Sequence, residues 1–320
     1  MQQLLVQLSF EMKRFNVSVT NKIETVFIGG GTPSTIDATL YKPLFEMIQP
    51  YLETDAEITI EANPNSASKE WLNGLFSLGV NRVSFGVQSF DEQKLKLLNR
   101  AHNKIQAIEA VKNAQKVGFK NISLDIIYGV SGDSQELLEN DLKIAFRLPI
   151  NHLSAYALTI EQNTPFQKQP QMAKEKLQTT QWFFDEIEKH DFEHYEISNF
   201  GSYHSKHNLG YWQYKEYMGV GSGAVGRFKN QRLYPTSNIE NYIKNPLTIE
   251  TEELTEEDMK IEKILLGLRC CVGVAKELLT QEEFLKANIL YEENKLTFKD
   301  GVFYNTEYLL ADEIALFLTS

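Results

Sequence analysis

At 320 residues the chain is long enough for one large α/β domain, or for one such domain with a small appendage. Its 42% hydrophobic and 23% charged residues exclude disordered, collagen-like and disulfide-scaffold classes. A net charge of −11 argues against nonspecific attraction to nucleic acid or to an anionic membrane, both of which need a local surplus of Lys and Arg. No apolar run approaches the ~18 residues of a spanning helix, and the N-terminus shows neither a basic leader nor a long apolar core of a signal. These features predict an acidic cytoplasmic protein with no membrane span and leave peripheral membrane contact open.

Leu4, Leu8, Met12 and Phe15 recur at helical spacing, so Met1 to Phe15 is expected to form an amphipathic helix. Short strand-like runs follow: Thr25 to Ile28, Glu57 to Ala62, Arg82 to Val87, Asn121 to Tyr128 and His152 to Leu158. Between them, Leu40 to Leu52, Lys69 to Leu78, Lys104 to Val117 and Gln135 to Phe146 carry helical periodicity and are long enough for right-handed crossovers. Repeated βα units predict a parallel sheet whose strands are buried on both faces. Functional-looking residues end strand after strand, which favours a partial (β/α) barrel over a doubly wound sheet with its single switch point. Without a preceding strand, Thr25 to Ile28 would lack a neighbour on one side, so either an upstream strand is missing or the opening helix covers the gap.

From about Gln162 the rhythm changes to a helix at Lys174 to His190 and then a Tyr- and Asn-rich stretch, Tyr195 to Tyr217. The last segment has helical periodicity at Met259 to Leu268, Gln281 to Ala287 and Leu309 to Leu318, and a hairpin-like piece at Leu296 to Tyr304 around Asp300-Gly301. We therefore expect a barrel region over 1–247 and a small helix-rich, winged-helix-like domain over 248–320.

Gly29-Gly30-Gly31-Thr32-Pro33 directly follows a strand. Three glycines let backbone N–H groups approach a ligand, although a tight structural turn explains them equally simply. Glu61 and Asp125 end strands with Gln88 between them, so these three could converge on one cavity, and Arg100 follows Gln88 in the chain. There, Glu61 suits an ammonium group, Asp125 ribose hydroxyls and Arg100 a carboxylate; from residue types alone, ordinary salt bridges fit as well. Gly221-Ser222-Gly223-Ala224-Val225-Gly226 matches a dinucleotide fingerprint, but no βαβ unit surrounds it. His204, His207, Asn208, Tyr211 and Trp212 form an aromatic stretch that suits either haem, with imidazole on iron and rings on the porphyrin face, or plain packing. Cys270 and Cys271 are the only cysteines. As sequence neighbours they cannot supply three thiolates, and they are expected to pack as small apolar residues.

Nine strings occur in order: FIGGGTPS, ITIEANP, NRVSFGVQSF, LNRAHN, NISLDIIYGV, HLSAYALTIE, YEISNF, HNLGYW and GVGSGAVG. Together they resemble the HemW group of radical S-adenosylmethionine (SAM) proteins, the haem chaperones related to oxygen-independent coproporphyrinogen III oxidase. The resemblance covers nearly the whole chain. It implies a partial β/α barrel of the radical SAM type, a 4Fe-4S cluster, SAM and haem, and a haem-accepting partner protein. Carried onto this sequence, Gly30, Gly31 and Thr32 meet the methionine part of SAM, Glu61 holds its polar groups, and Gln88, Arg100 and Asp125 complete the pocket. His207 and Trp212 fall in the string that separates HemW proteins from the oxidases, which favours a haem-related task.

Two departures follow. The first strand and CxxxCxxC loop of the family are absent, so the chain as it stands is expected to be inactive in radical chemistry, and no catalytic residue is assigned. Val225 stands where family members often have His in a GAHG-like string. The readings that remain are a haem chaperone whose N-terminal strand and cluster loop are missing, a coproporphyrinogen oxidase-like enzyme in its full form, and a cluster-free binding descendant.

Overall fold

The structure, a computed structural model, describes residues 1–160 and 166–320. The change of rhythm expected at Gln162 lies outside the described residues. The chain divides into two compact units. One comprises Thr25–Phe45 and Asp55–His204; the other gathers Met1–Glu24, Glu46–Thr54 and Ser205–Ser320.

The first is built on an open seven-stranded sheet. Its strands in chain order are β1 (Ile23–Ile28), β2 (Leu52–Ala62), β3 (Arg82–Gln88), β4 (Asn121–Tyr128), β5 (His152–Ala157), β6 (Glu193–Glu196) and β7 (Asn199–Gly201), and their order across the sheet is β1-β2-β3-β4-β5-β7-β6. β2 to β5 pair in parallel, whereas β5–β7 and β7–β6 are antiparallel. The expected α/β partial barrel is present, with an antiparallel hairpin that the βα reading did not contain. The crossovers carry α2 (Lys42–Ile48), α3 (Lys69–Ser77), α4 (Glu92–Leu97), α5 (Lys104–Val117), α6 (Gln135–Ala145) and α7 (Leu177–Glu188). The single helix expected over Leu40 to Leu52 is instead α2 flanked by 3-10 turns at Ala38–Tyr41 and Gln49–Tyr51. Pro50 lacks the amide hydrogen that an α-helix would need there.

Alternation along each strand sorts the side chains into two rows. Ile58 and Ile60, Val83 and Phe85, Ile122 and Leu124, and Leu153 are all buried. The facing core positions on the helices are Leu72, Leu75, Val111 and Leu138, also buried. The intervening positions are polar and nonetheless largely buried: Thr59, Arg82, Ser84, Ser123, His152 and Ser154. Register aligns Glu61 with Ser84, Ser84 with Ser123, Ser123 with His152, and Asp125 with Ser154. One face of the sheet is thus apolar and the other is a polar interior that must satisfy its own hydrogen bonds. His152 does so through the Ser123 hydroxyl at 2.7 Å and the Tyr195 hydroxyl at 2.7 Å, and burial holds its imidazole neutral.

The other unit begins with α1 (Gln2–Arg14). It then contains α8 (Lys206–Trp212), β8 (Gly226–Phe228), β9 (Gln231–Pro235), α9 (Ile239–Lys244), β10 (Ile249–Glu253), α10 (Glu256–Leu268), β11 (Val274–Ala275), α11 (Gln281–Glu292), β12 (Leu296–Lys299), β13 (Val302–Asn305) and α12 (Ala311–Thr319). β8, β9 and β10 form one antiparallel sheet, and β11, β13 and β12 another. Around the second sheet, Ile264, Leu268, Leu290, Phe303, Ile314 and Leu318 form a continuous apolar cluster. Capping boxes at Thr255–Asp258 and Thr280–Glu283 begin α10 and α11. Cys270 is buried, its thiol directed to the Leu266 carbonyl at 3.3 Å.

Candidate functional site

The strand-end residues of the larger sheet meet at one place. Gly29 is glycine because a Cβ there would lie 2.8 Å from the Phe27 ring and 3.0 Å from the Glu61 carboxyl. The carboxylate occupies that vacated volume and accepts the Gly30 N–H at 3.2 Å. Gly30 has φ +107°, a conformation that side chains oppose. Cβ atoms at Gly30 and Gly31 would meet nothing within 4 Å, so the loop presents bare backbone to open space. Thr32 follows with φ +72°, and its hydroxyl accepts from the Asn63 amide at 3.4 Å.

Gln88, at the end of β3, also has a positive φ, +67°. The Ser89 N–H closes a three-residue turn around it onto the Val87 carbonyl at 2.8 Å. His102, buried, donates Nε2–H to that same carbonyl at 2.9 Å, since a carbonyl can only accept. Burial lowers the His102 pKa and keeps the ring in this neutral donor form. Two non-glycine residues in the left-handed region, Thr32 beyond the end of β1 and Gln88 at the end of β3, mark the kind of stored strain that collects at ligand sites.

Asp125 lies on the polar face of β4 and accepts from the Ser84 hydroxyl at 3.0 Å and from Ser154. Burial is the main reason its carboxyl is raised from 3.8 to about 6; the neighbouring Glu61 charge adds to this, and Arg82 opposes it. Burial also raises Glu61, partly offset by the Gly30 N–H. Arg100 is near enough for the Asp125 charge to counter the effect of burial on its guanidinium. Among the described residues Arg100 has no ion-pair partner, and its planar guanidinium presents a two-pronged donor edge. The Tyr156 hydroxyl bonds to Ser154 beside Asp125.

The structure therefore brings together Glu61, Arg100 and Asp125 in one electrostatic neighbourhood, with the Gly30 to Thr32 loop held by Glu61. Gln88 joins them through Asn63, both side chains lying against Gly86. Sequence reasoning did not pick out Ser84, Asn63, Ser154 and Tyr156. The polar alternation of RVSFGV and HLSAYA was the available signal for the serines and Tyr156.

The second group lies in the other unit. His207 and Trp212 both belong to α8, five positions apart and hence on different sides of the helix. His207 Nε2 is 3.0 Å from the Tyr211 hydroxyl and its ring meets Tyr211 edge-on. Trp212 lines a cavity of about 590 Å³. His204 stacks on Tyr195 instead, with its Nε2 on Glu193 at 3.1 Å. The run Gly221 to Gly226 leads into β8 rather than a helix, and Gly221 donates to Gln7 at 2.8 Å, so it lacks the strand–turn–helix geometry of a dinucleotide loop.

Comparison with known proteins gives this geometry its context. A profile of the radical SAM superfamily matches residues 12–145. The chain is similar to the protein named heme chaperone HemW of Lactococcus lactis subsp. lactis (strain IL1403), with 33% identity over 280 residues covering 83% of this chain and 74% of that protein. It is likewise similar to the heme chaperone HemW of Bacillus subtilis (strain 168), with 34% identity over 272 residues and 80% and 72% coverage. Among solved structures, the coproporphyrinogen III oxidase HemN of Escherichia coli, described as a radical SAM enzyme, matches with a TM-score of 0.77. At 17% identity over 100% of this chain and 84% of that one, that likeness concerns the fold alone. An open, mostly parallel sheet with polar residues gathered at its strand ends is the partial barrel of radical SAM proteins. Within that class, the chain belongs to the HemW family.

The sequence contains only Cys270 and Cys271 and no CxxxCxxC motif. Among the described residues no three His, Cys, Asp or Glu side chains converge as metal ligands. The donor set of this chain does not fit a 4Fe-4S cluster. No described helix is long and apolar enough to cross a membrane.

Proposed function

We propose that this chain is a HemW-type haem chaperone: it binds haem through the α8 region, binds SAM at the strand-end site, and passes haem to an accepting protein in the cytoplasm. The observation that carries the SAM part is the gathering of charges of opposite sign, the Arg100 guanidinium near Asp125 and Asp125 near Glu61. SAM is an amino acid whose carboxylate suits Arg100, whose ammonium suits Glu61 and whose ribose hydroxyls suit Asp125. Bare backbone at Gly30 and Gly31 and the Thr32 hydroxyl lie where the methionine portion would pass, and Gln88 supplies an amide at the same mouth. Bound SAM would supply a sulfonium centre; this chain's residues orient it and hold its charges.

The haem part rests on the HNLGYW string and on the relatives' name. His207 offers an imidazole whose orientation is set by Tyr211, the kind of outer hydrogen bond that directs ligating histidines. Trp212 offers a flat apolar face.

Two titrations test the proposal. Calorimetry with SAM should give a saturable signal that Asp125→Ala or Glu61→Ala weakens without loss of fold; unchanged affinity removes the pocket assignment. Haem added to the chain should give a Soret band that His207→Ala alters. An identical spectrum leaves His207 structural, and no haem binding by the parent removes the chaperone reading.

A further inference from the structure

The cavity beside Trp212 contains an imbalance of charge. It lies entirely within the unit that contains α8, walled by the end of α8 and the turn after it, by Arg227 and Lys229, by α10 and by the segment around β11. Four cations line it, Lys215, Arg227, Lys229 and Lys263, against one acid, Glu216, in a protein whose net charge is −11. Lys215 is paired with Glu24 at 2.6 Å, and Glu216 is engaged by the Lys229 backbone N–H at 2.9 Å.

Arg227 is the decisive residue. Its side chain belongs to a residue only 6% exposed, yet among the described residues it has no carboxylate partner. Its guanidinium lies 4.0 Å over the Tyr214 ring and donates to the carbonyls of Lys229 and Tyr214, while its Nε–H is buried with no acceptor. Lys263 approaches the same Tyr214 ring at 5.4 Å and Lys229 the Phe228 ring at 5.2 Å, neither with an ion-pair partner among the described residues. Burying a charge without its counter-charge costs stability, and a fold that retains such a group gains it back when an anion arrives. Apolar side chains of Trp212, Met259, Val274 and Leu278 form much of the remaining wall. At about 590 Å³ the space is of small-molecule size rather than ion size.

We infer that this cavity is a carboxylate-recognition site for a flat, amphiphilic dicarboxylate, with Arg227, Lys229 and Lys263 receiving the carboxylates and the Trp212 wall receiving the ring system. The inference rests on the haem reading above and deepens it: the occupant is a porphyrin, held by its acid side chains independently of any bond to iron. An inorganic anion would leave the apolar wall unused, and a neutral ring would leave three cations uncompensated.

The test uses metal-free mesoporphyrin, which removes iron ligation from the measurement, and its dimethyl ester, which removes the carboxylates. Binding to the full chain is read by quenching of tryptophan fluorescence. The free acid should bind at least about tenfold more tightly than the ester. The double variant Lys229→Gln/Lys263→Gln, which changes two solvent-reaching ammonium groups and spares the buried Arg227, should weaken the acid by a similar factor and leave the ester unaffected. The free acid should also bind less tightly as salt is raised. Equal affinity for acid and ester, an unaffected double variant, or no binding of the free acid overturns the inference. Iron haem that still binds the double variant with a His207-dependent Soret band leaves the chaperone reading standing while the carboxylate site falls. Conversely, charge-dependent binding of the metal-free acid with a Soret band indifferent to His207→Ala keeps the site and removes the iron-ligand assignment.

Discussion

Replacing Asp125 by Asn should make the protein more stable while weakening its site. Burial holds the Asp125 carboxyl at about 6 in the folded chain against an ordinary value of 3.8. Between those two pH values the folded protein keeps a proton that the unfolded chain has released. Stability contributed by this group therefore falls as pH rises through that window and stays low above it. At about 1.4 kcal/mol per pKa unit the gap corresponds to a cost of about 3 kcal/mol at pH 7.5, and to roughly half that at pH 5. Asp125→Asn removes the charge and keeps an oxygen that can still accept from Ser84 and Ser154. Urea unfolding followed by circular dichroism should show the variant more stable than the parent by up to about 3 kcal/mol at pH 7.5, with the advantage shrinking as pH falls to 5. The same variant should bind SAM more weakly, because the ribose hydroxyls lose an anionic acceptor. A variant less stable than the parent at pH 7.5, or an advantage that does not change with pH, would refute the reasoning.

Gly29→Ala would push a methyl group into the Phe27 ring and the Glu61 carboxyl, so it should cost about 1–3 kcal/mol in urea unfolding and weaken SAM binding by displacing Glu61. Wild-type SAM affinity in that variant would show that Glu61 does not set the loop. Lys94 and Asp133 form an ion pair at 2.8 Å with side chains 2% and 8% exposed. Lys94→Met leaves Asp133 as a buried uncompensated charge and should destabilise by about 3–5 kcal/mol, read from the urea midpoint; a change under about 1 kcal/mol would mean that the pair is solvated in solution. His207→Ala should shift the Soret band of added haem without changing SAM affinity, since the two groups of residues belong to different units.

The five main strands were legible because their β-branched runs and turn punctuation are strong local signals, and the alternation in NISLDIIY placed Asp125 on a strand. The same alternation runs through EITIEA and RVSFGV. It carries Ser84 and Glu61 to the polar face, although buried strands were expected to be read simply as apolar on both sides. β7 and β8, three residues each, carry no period long enough to recognise, and the short strand β6 is equally obscure. α8 was hidden in an aromatic stretch of seven helical residues, begun by a Ser205 cap and too short to show amphipathic spacing.

The amino-acid sequence by itself determined the family, through nine ordered strings, and the chemical types available at the site: a glycine loop, two carboxylates, an arginine and an amide. It also determined that the 320 residues here contain two cysteines, fewer than the three thiolates of a CxxxCxxC site. Only the tertiary structure decided which of these groups share a neighbourhood, because Glu61 and Asp125 are far apart in the chain and meet through the parallel register of β2, β3 and β4, while Arg100 reaches them from the turn after α4. Only it revealed Arg227 as a buried cation without a carboxylate partner among the described residues. Burial and missing partners are properties of packing, and a residue's letter says nothing of what surrounds it once the chain has folded.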